Sequence, residues 1–434
     1  MSSSVAASRI DEFRAAVASS VNDDLLRDRD LDAFVVDGIV PDLVVTPSSE
    51  HELATVLAEA HEHALAVIPF GAGTHRSLGN LPAGFDIALS TTRLDRIVAH
   101  EPADLTVTVE PGVRLDDLQT LLATSNQFLP LDPPCGNDAT VGGLIASAAF
   151  GPLRHGFGTV RDWLIGVRVV HADGAISKAG GRVVKNVAGY EMTKLYTGSL
   201  GTLGVISEAT FKLMPSPAAR QTVAAYFHSP HAAATFAFAA QDAGLSLEAA
   251  ELLSPPGAFA VLGQSRWAVL LRVGGSPGGV ARTLREMTSL ANGLHASVEH
   301  IDNDAWRRWS DVFTPGELAL RVSVQPFAVA DAVEVLDRRF AGAAATLSAT
   351  ISAGVVRVNA RPSRDHRPAA LVAHARALAA RCDGYTVVDA APVSYKREHD
   401  VFGPLRPDFA IMKRLKDEFD PRRILSPGRF VGRL

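Results

Sequence analysis

The stretch PFGAGTHRSLGN, Pro69 to Asn80, constrains the fold of this chain more than any other. It is a loop of small residues, and the segments on both sides read as strands. Upstream, Asp42–Pro47 (DLVVTP) is a strand. Ser48 and Ser49 then cap a helix over Glu50–His63, with Leu53, Val56, Leu57 and Ala60 on one face. Ala64–Phe70 (ALAVIPF) is the strand that delivers the loop, and Asp86–Ser90 (DIALS) is the next strand after it. The two common phosphate cradles open into a helix, and their residues are missing here as well. Arg76 stands where the dinucleotide fingerprint needs its third Gly, and Leu78-Gly79-Asn80 replaces Gly-Lys-Ser/Thr. What remains is a turn whose successive backbone N–H groups can face an anion with neither a following helix dipole nor a lysine. Gly71, Ala72, Gly73, Thr74 and His75 would supply those groups; the alternative is a tight strand-to-strand turn with no ligand.

Further along, Arg96–His100 and Leu105–Glu110 read as strands and Leu115–Ala123 as a helix. The block Leu129–Pro215 opens with PLDPPCGNDATVGGLIASAAFG. It continues through a hairpin, Trp163–Ala172 and Ala175–Lys178 about an Asp173-Gly174 turn, to a strand within Gly201–Leu213. Pro215 and Pro217 mark a boundary. From about Ala218 the chain becomes Ala-rich helices alternating with strands such as Trp267–Val273 and Gly354–Asn359, an α+β pattern. The tail holds a helix, FAIMKRLKDEF, then DPRRILSPGRFVGRL. A helix is expected over Asp11–Leu26, and no repeat of fixed period is visible.

Composition narrows the function classes. The 434 residues suit two or three domains, and a net charge of −5 with both signs interspersed gives no footprint for nucleic acid. Two cysteines, Cys135 and Cys382, cannot form a disulfide framework, a four-thiolate zinc site or a self-contained iron–sulfur cluster. No metal site is expected. No window approaches the roughly 18 apolar residues of a membrane span. The N-terminus lacks a signal-peptide pattern, so the chain reads as cytoplasmic.

Taken in order, PFGAGTHRSLG, DPPCGNDATVGGLIAS, RHGFGTVRDWLIGVRVVHADG with GGRVVKNVAGYEMTKLYTGSLGTLGVI, and FDPRRILSPGRF resemble a flavoprotein family. Its FAD domain is the one shared by vanillyl-alcohol oxidase and p-cresol methylhydroxylase (PCMH-type). The resemblance covers about residues 37–217 and the last thirty or so. The VVKNVAG…LGVI block and the tail are most similar to the FAD-binding subunits of glycolate oxidases. The His-rich metal signature of the family's larger dehydrogenases has no counterpart here. The resemblance implies an α+β architecture: a helical lead-in (1–36), a PCMH-type FAD-binding domain of two α+β subdomains (37–217), an α+β cap domain (218–389) and a C-terminal segment returning to the FAD domain (390–434). It implies oxidation of a small 2-hydroxy acid, glycolate first among them, with hydride passing to FAD. It also implies work beside a second flavoprotein subunit and an iron–sulfur subunit, peripheral to the inner membrane through such a complex. Two rivals stand beside this reading: a stand-alone oxidase or dehydrogenase of another alcohol or a sugar-derived substrate, and a flavin-carrying scaffold without turnover. MurB-like reductases share the flavin fold but also use NADPH.

The same resemblance assigns residues. Pro69, Gly71, Ala72, Gly73, Thr74 and His75 form the pyrophosphate loop, and Pro133, Gly136, Thr140, Gly142, Gly143 and Ser147 the second flavin loop. Gly201, Val205 and Ile206 face the adenine. His75 and Cys135 are each displaced from the positions at which relatives attach flavin covalently, so FAD is expected to be non-covalent. A 2-hydroxy acid needs a cation for its carboxylate and a base for its hydroxyl proton. Arg154, Lys185 and Arg397 are the candidate cations, and Tyr190 and His399 the candidate proton handlers. Arg429 is expected to pack back on the flavin domain, and Ser426 replaces the family's usual Asn.

Overall fold

Short apolar runs build the first sheet. Val67–Phe70 and Ile87–Ser90 are buried along nearly their whole length, as parallel strands covered on both faces are. The computed structural model, which describes residues 2–18, 26–27, 30–136, 138–182 and 190–434, orders this sheet Leu26–Arg27, Leu43–Val45, Ile87–Ser90, Val67–Phe70. The first pair is antiparallel and the other two are parallel. The helix Glu50–Glu62 makes the crossover. Ser49 caps it by accepting from the Glu52 N–H at 3.2 Å, and Leu53, Val56, Leu57 and Ala60 are its buried face. The chain tail lies along the open edge: Val67 N–H donates to Ile424 O at 2.7 Å and Ser426 N–H to Val67 O at 2.8 Å. The strand that delivers the glycine loop is thus held by a neighbour on each side.

The N-terminal helix runs Ser2–Val17 rather than Asp11–Leu26, with Phe13 and Val17 buried in the core of the first sheet. Residues 19–25 of the expected helix lie outside the described residues. A second sheet is fully antiparallel, in the order Ile97–Glu101, Thr106–Val109, Val205–Lys212, Leu164–Val170, Ile176–Gly180. Its hairpin turns at Asp173-Gly174 as expected: Ala175 N–H donates to Asp173 Oδ1 at 3.0 Å and Gly174 has φ 82°. Val170, Ala172 and Val205 from this half reach the core of the first sheet, so the two halves are packed together.

The third sheet has eight strands, ordered Val298–Ile301, Ala219–Phe227, Trp267–Gly275, Leu247–Leu253, Thr346–Thr350, Val355–Ala360, Leu318–Ser323, Tyr385–Ala390. It consists of two β-α-β-β-α-β halves joined side by side through Leu247–Leu253 and Thr346–Thr350. This repeat was invisible in the sequence because Pro255–Leu262 interrupts the first half and Ala305–Val312 separates the two halves, which spoils any fixed period. Three of the helices here start at Ser-Pro. Ser229, Ser254 and Ser276 each accept a hydrogen bond from the backbone three residues on, with Pro at the first helical position. One face of the sheet packs against the helices Pro230–Asp242, Pro277–Gly293, Val329–Phe340 and Pro368–Arg381. Part of the other face carries charged side chains toward the half built from the first two sheets, as where Arg357 donates to Phe150 O.

Candidate active site

A continuous cleft begins where the first two sheets meet and ends against the third. Its inner section is lined by Thr91, Pro111, Gly142, Gly204, Val205 and Ile206. Pro69, Gly71, Gly143 and Gly201 border both this section and the next, which adds Ala72, Gly73, Thr74, Thr140 and Arg429. His75 and Ser147 border that middle section and also a chamber floored by the third sheet, with Phe150, Phe313, Arg321, Arg357, Asn359 and Asp389 in its walls.

The middle section is shaped by backbone. The N–H groups of Gly71, Ala72, Gly73, Thr74 and His75 donate to no other described backbone group. A run of unspent donors along a cleft is the arrangement that receives an anion. Gly73 takes φ 73°, and an added Cβ there would meet nothing within 4 Å, so this glycine serves backbone conformation. Gly71 serves packing: its Cβ would lie 1.9 Å from Thr140 Oγ1. Thr140 caps the helix Val141–Ser147, which therefore abuts the glycine loop although the two are far apart in sequence. The N–H groups of that helix are already used. Gly142 donates to Pro111 O at 2.8 Å and Gly143 to Thr140 Oγ1 at 3.3 Å. Gly142 and Gly143 thus permit close approach rather than offer donors, and the Ser147 hydroxyl is spent on Gly143 O at 2.7 Å.

The loop is fastened from behind by the tail. Arg429 Nη2 donates to Arg76 O at 2.9 Å and to Leu78 O, so Arg429 does pack on this half. Asn80 N–H donates to Arg429 O at 2.9 Å and Asn80 Nδ2 to Phe430 O at 2.8 Å. Lys396, fully buried, donates to both Asp37 oxygens at 2.8 and 2.9 Å and to Ser77 O at 2.6 Å, and Asp37 also faces Arg429 at 3.7 Å. Burial pushes the Arg429 guanidinium down to about 10 against the pull of Asp37. Ser426 sits at φ 45°, a conformation that Asn tolerates better, and its buried hydroxyl has no partner among the described residues.

The chamber's charged groups were not singled out from the sequence. Arg321 and Arg357 are direct cross-strand partners, so both side chains leave the same face of the sheet. Arg321 Nε donates to Asp389 at 2.8 and 2.9 Å. Arg357 donates through Nη2 to Phe150 O and lies 4.4 Å over the Phe150 ring; burial lowers it to about 10. Glu251 is fully buried and accepts from Ser348 and Thr350, and desolvation raises its pKa. A signal was available for the two arginines: each is a lone charge within an apolar strand, as in LALRVS and VVRVNA. His75 Nδ1 shares a hydrogen bond with Thr74 Oγ1 at 3.0 Å. Burial brings its pKa down to about 4, with Arg321 adding to the fall and Asp389 opposing it.

The remaining candidates are dispersed. Pro133 and Gly136 line a separate hollow beside the chamber, with Cys135, Asp132, Arg272 and Trp306. Cys135 Sγ lies 3.1 Å from Thr314 Oγ1, and burial raises its thiol pKa. Arg154 stacks 4.3 Å from the Phe150 ring centre without lining the chamber. Arg397 and His399 border no section of the cleft, because the helix Val393–Glu398 turns Tyr395 and Lys396 inward and leaves Arg397 in solvent. His399 lies against Tyr395 instead, with ring centres 4.7 Å apart. Tyr190 is 92% exposed. Lys185 lies outside the described residues.

Asp132 lies in this second hollow, with its carboxylate accepting from Leu153 N–H at 3.0 Å. Burial raises its pKa from 3.8 to about 7, Glu251 adds to the rise, and Arg272 and Arg357 oppose it. A raised carboxyl contributes stability that is complete below its ordinary range and is lost progressively as pH rises from about 4 to about 7. Asp132→Asn remains neutral at every pH. Thermal melts should therefore show a smaller gain in Tm over the parent at pH 5 than at pH 8, and little gain near pH 3. A gain of the same size at all three pH values would contradict this assignment.

Comparison with known proteins agrees with the geometry. Residues 41–180 match the FAD binding domain family, and residues 405–430 match the C-terminal domain of FAD linked oxidases. The chain is 35% identical over 195 residues to the glycolate oxidase subunit GlcD of Bacillus subtilis strain 168, covering 45% of this chain and 42% of that protein. It is 40% identical over 124 residues to the glycolate oxidase subunit GlcE of Escherichia coli K12, covering 28% of this chain and 35% of that protein. It thus spans about two fifths of these curated relatives. The solved structure of p-cresol methylhydroxylase with substrate bound aligns over 99% of this chain and 97% of its own, with TM-score 0.75 and 15% identity, which shows a shared fold. The α+β, PCMH-type architecture and the FAD domain expected from the sequence are those found.

Proposed function

We propose that this chain, whose flavin half belongs with the FAD linked oxidases, oxidises a 2-hydroxy acid to the 2-oxo acid. The observation that carries the reading is the continuity of the cleft from the glycine loop to the arginine chamber. FAD supplies the hydride acceptor when bound. The residues present fit it: five unspent N–H groups run from Gly71 to His75 along a strip left open by Gly73, and Arg429 adds positive charge to the same section. Gly201, Val205 and Ile206 line the inner end, where the adenine belongs. We infer non-covalent attachment, because Cys135 borders the separate hollow and His75 is engaged with Thr74. In the chamber, cations hold the acid and His75, neutral above about pH 4, presents a ring nitrogen to the hydroxyl proton.

Two relatives are themselves named as glycolate oxidase subunits. That supports a place for this chain in a multi-subunit enzyme, beside a second flavoprotein and an iron–sulfur subunit that takes the electrons onward. Among the described residues no helix is long and apolar enough to cross a membrane. Anaerobic mixing of the FAD-loaded chain with glycolate and larger 2-hydroxy acids tests the reading. The flavin should bleach with at least one of them and stay yellow with NADPH. Bleaching by none, with or without partner subunits, would leave a flavin-carrying scaffold.

A further inference from the structure

Among the described residues, one chamber cation has a buried nitrogen with no hydrogen-bond partner. Arg357 is only 6% exposed, and its Nη1 is buried with no hydrogen-bond partner among the described residues, while Nη2 is spent on Phe150 O. A buried guanidinium nitrogen left unpaired is costly, and a carboxylate is its natural complement. Its neighbour Arg321 is already matched by Asp389, and Glu251, whose charge acts on Arg357, accepts its hydrogen bonds from Ser348 and Thr350 rather than from that nitrogen. The chamber therefore has an opening for one carboxylate and not two. Beside the paired Arg321 and Asp389 and the polar His75 and Asn359, the wall is Phe150, Phe313, Pro134, Pro315 and Leu320, which offer a substrate apolar surface.

We propose that Arg357 receives the substrate carboxylate and that the preferred substrate is a 2-hydroxy monocarboxylic acid with a bulky apolar side chain, branched or aromatic, rather than glycolate. This rests on the oxidase reading above and narrows it. A two-carbon acid would meet the arginine but leave the aromatic wall against water, and each methylene placed in such a pocket is worth about 10- to 200-fold in selectivity.

The test ranks substrates on the parent protein and measures binding apart from turnover. Anaerobic stopped-flow reduction of the FAD-loaded chain by glycolate, lactate, 2-hydroxyisocaproate and phenyllactate should give a bleaching efficiency at least about tenfold higher for the last two than for glycolate. Calorimetry on the oxidised protein should show phenylpyruvate binding at least about tenfold tighter than glyoxylate. Arg357→Met should weaken phenylpyruvate binding by more than about tenfold with FAD content unchanged, and Arg357→Lys should recover part of the loss. Glycolate reducing the flavin as well as the bulky acids overturns the proposal and keeps the oxidase. Parent-like oxo-acid binding by Arg357→Met also overturns it. Reduction by no 2-hydroxy acid, together with no oxo-acid binding, overturns both.

Discussion

Gly71→Ala is expected to lose most of the chain's affinity for FAD. The added methyl would fall 1.9 Å from Thr140 Oγ1 and 3.1 Å from Thr140 Cβ. Thr140 has nowhere to go: it is 2% exposed, it caps its helix, and the next residues are fixed through Val141 N–H to Val113 O at 2.9 Å and Gly142 N–H to Pro111 O at 2.8 Å. The glycine loop must move instead, and its unspent N–H groups move with it. Overpacking of this kind costs about 1–3 kcal/mol, which is about 5- to 150-fold in a dissociation constant if the loop bears it. Titration by flavin fluorescence should show a loss near the upper end. Adding Thr140→Ala should return part of it by removing the atom that is struck. An unchanged affinity in Gly71→Ala would mean that the two loops do not form one wall of the flavin site.

Asp37→Ala is the most destabilising single change expected behind the loop. The Asp37 carboxylate faces a fully buried Lys396 and an almost fully buried Arg429. Its removal leaves two cations in a low-dielectric interior, with carbonyls such as Ser77 O as their remaining partners. Breaking a buried pair from one side typically costs about 3–5 kcal/mol, because the abandoned charge stays desolvated. A drop of about 3–6 °C in Tm is expected, with Asp37→Asn intermediate because it keeps a hydrogen-bond acceptor. A Tm within about 2 °C of the parent would show that the tail does not fasten the loop, and that Lys396 finds water or another acceptor.

What was legible in the sequence follows from range. The helix Leu115–Ala123 and the tail helix Phe409–Phe419 were read to the residue because their apolar spacing is local. The cleft residues from Pro69 to His75 and from Thr140 to Ser147 were also readable, because glycine placement marks where backbone must approach something. The chamber was not. Arg321, Arg357 and Asp389 come from three strands that are neighbours only in the folded sheet, so no motif spacing joins them. Arg397 misled for a related reason. A cation in a charged run looks available, but the helix that carries it spends its inward face on Tyr395 and Lys396. Gly142 illustrates a third limit. It reads as a cofactor glycine, yet its Cβ would strike Pro111 at 2.6 Å, so the packing of the chain alone already requires it.

The account stands on a single dinucleotide lying along the cleft from the Val205 end to the chamber. Titrating the purified chain with FAD while following visible absorbance and flavin fluorescence tests that most directly. One FAD should bind per chain, with its spectrum shifted from that of free FAD, and acid precipitation should release all of it into the supernatant. A chain that takes up no FAD, or that binds it as tightly after Gly71→Ala as before, would contradict the account.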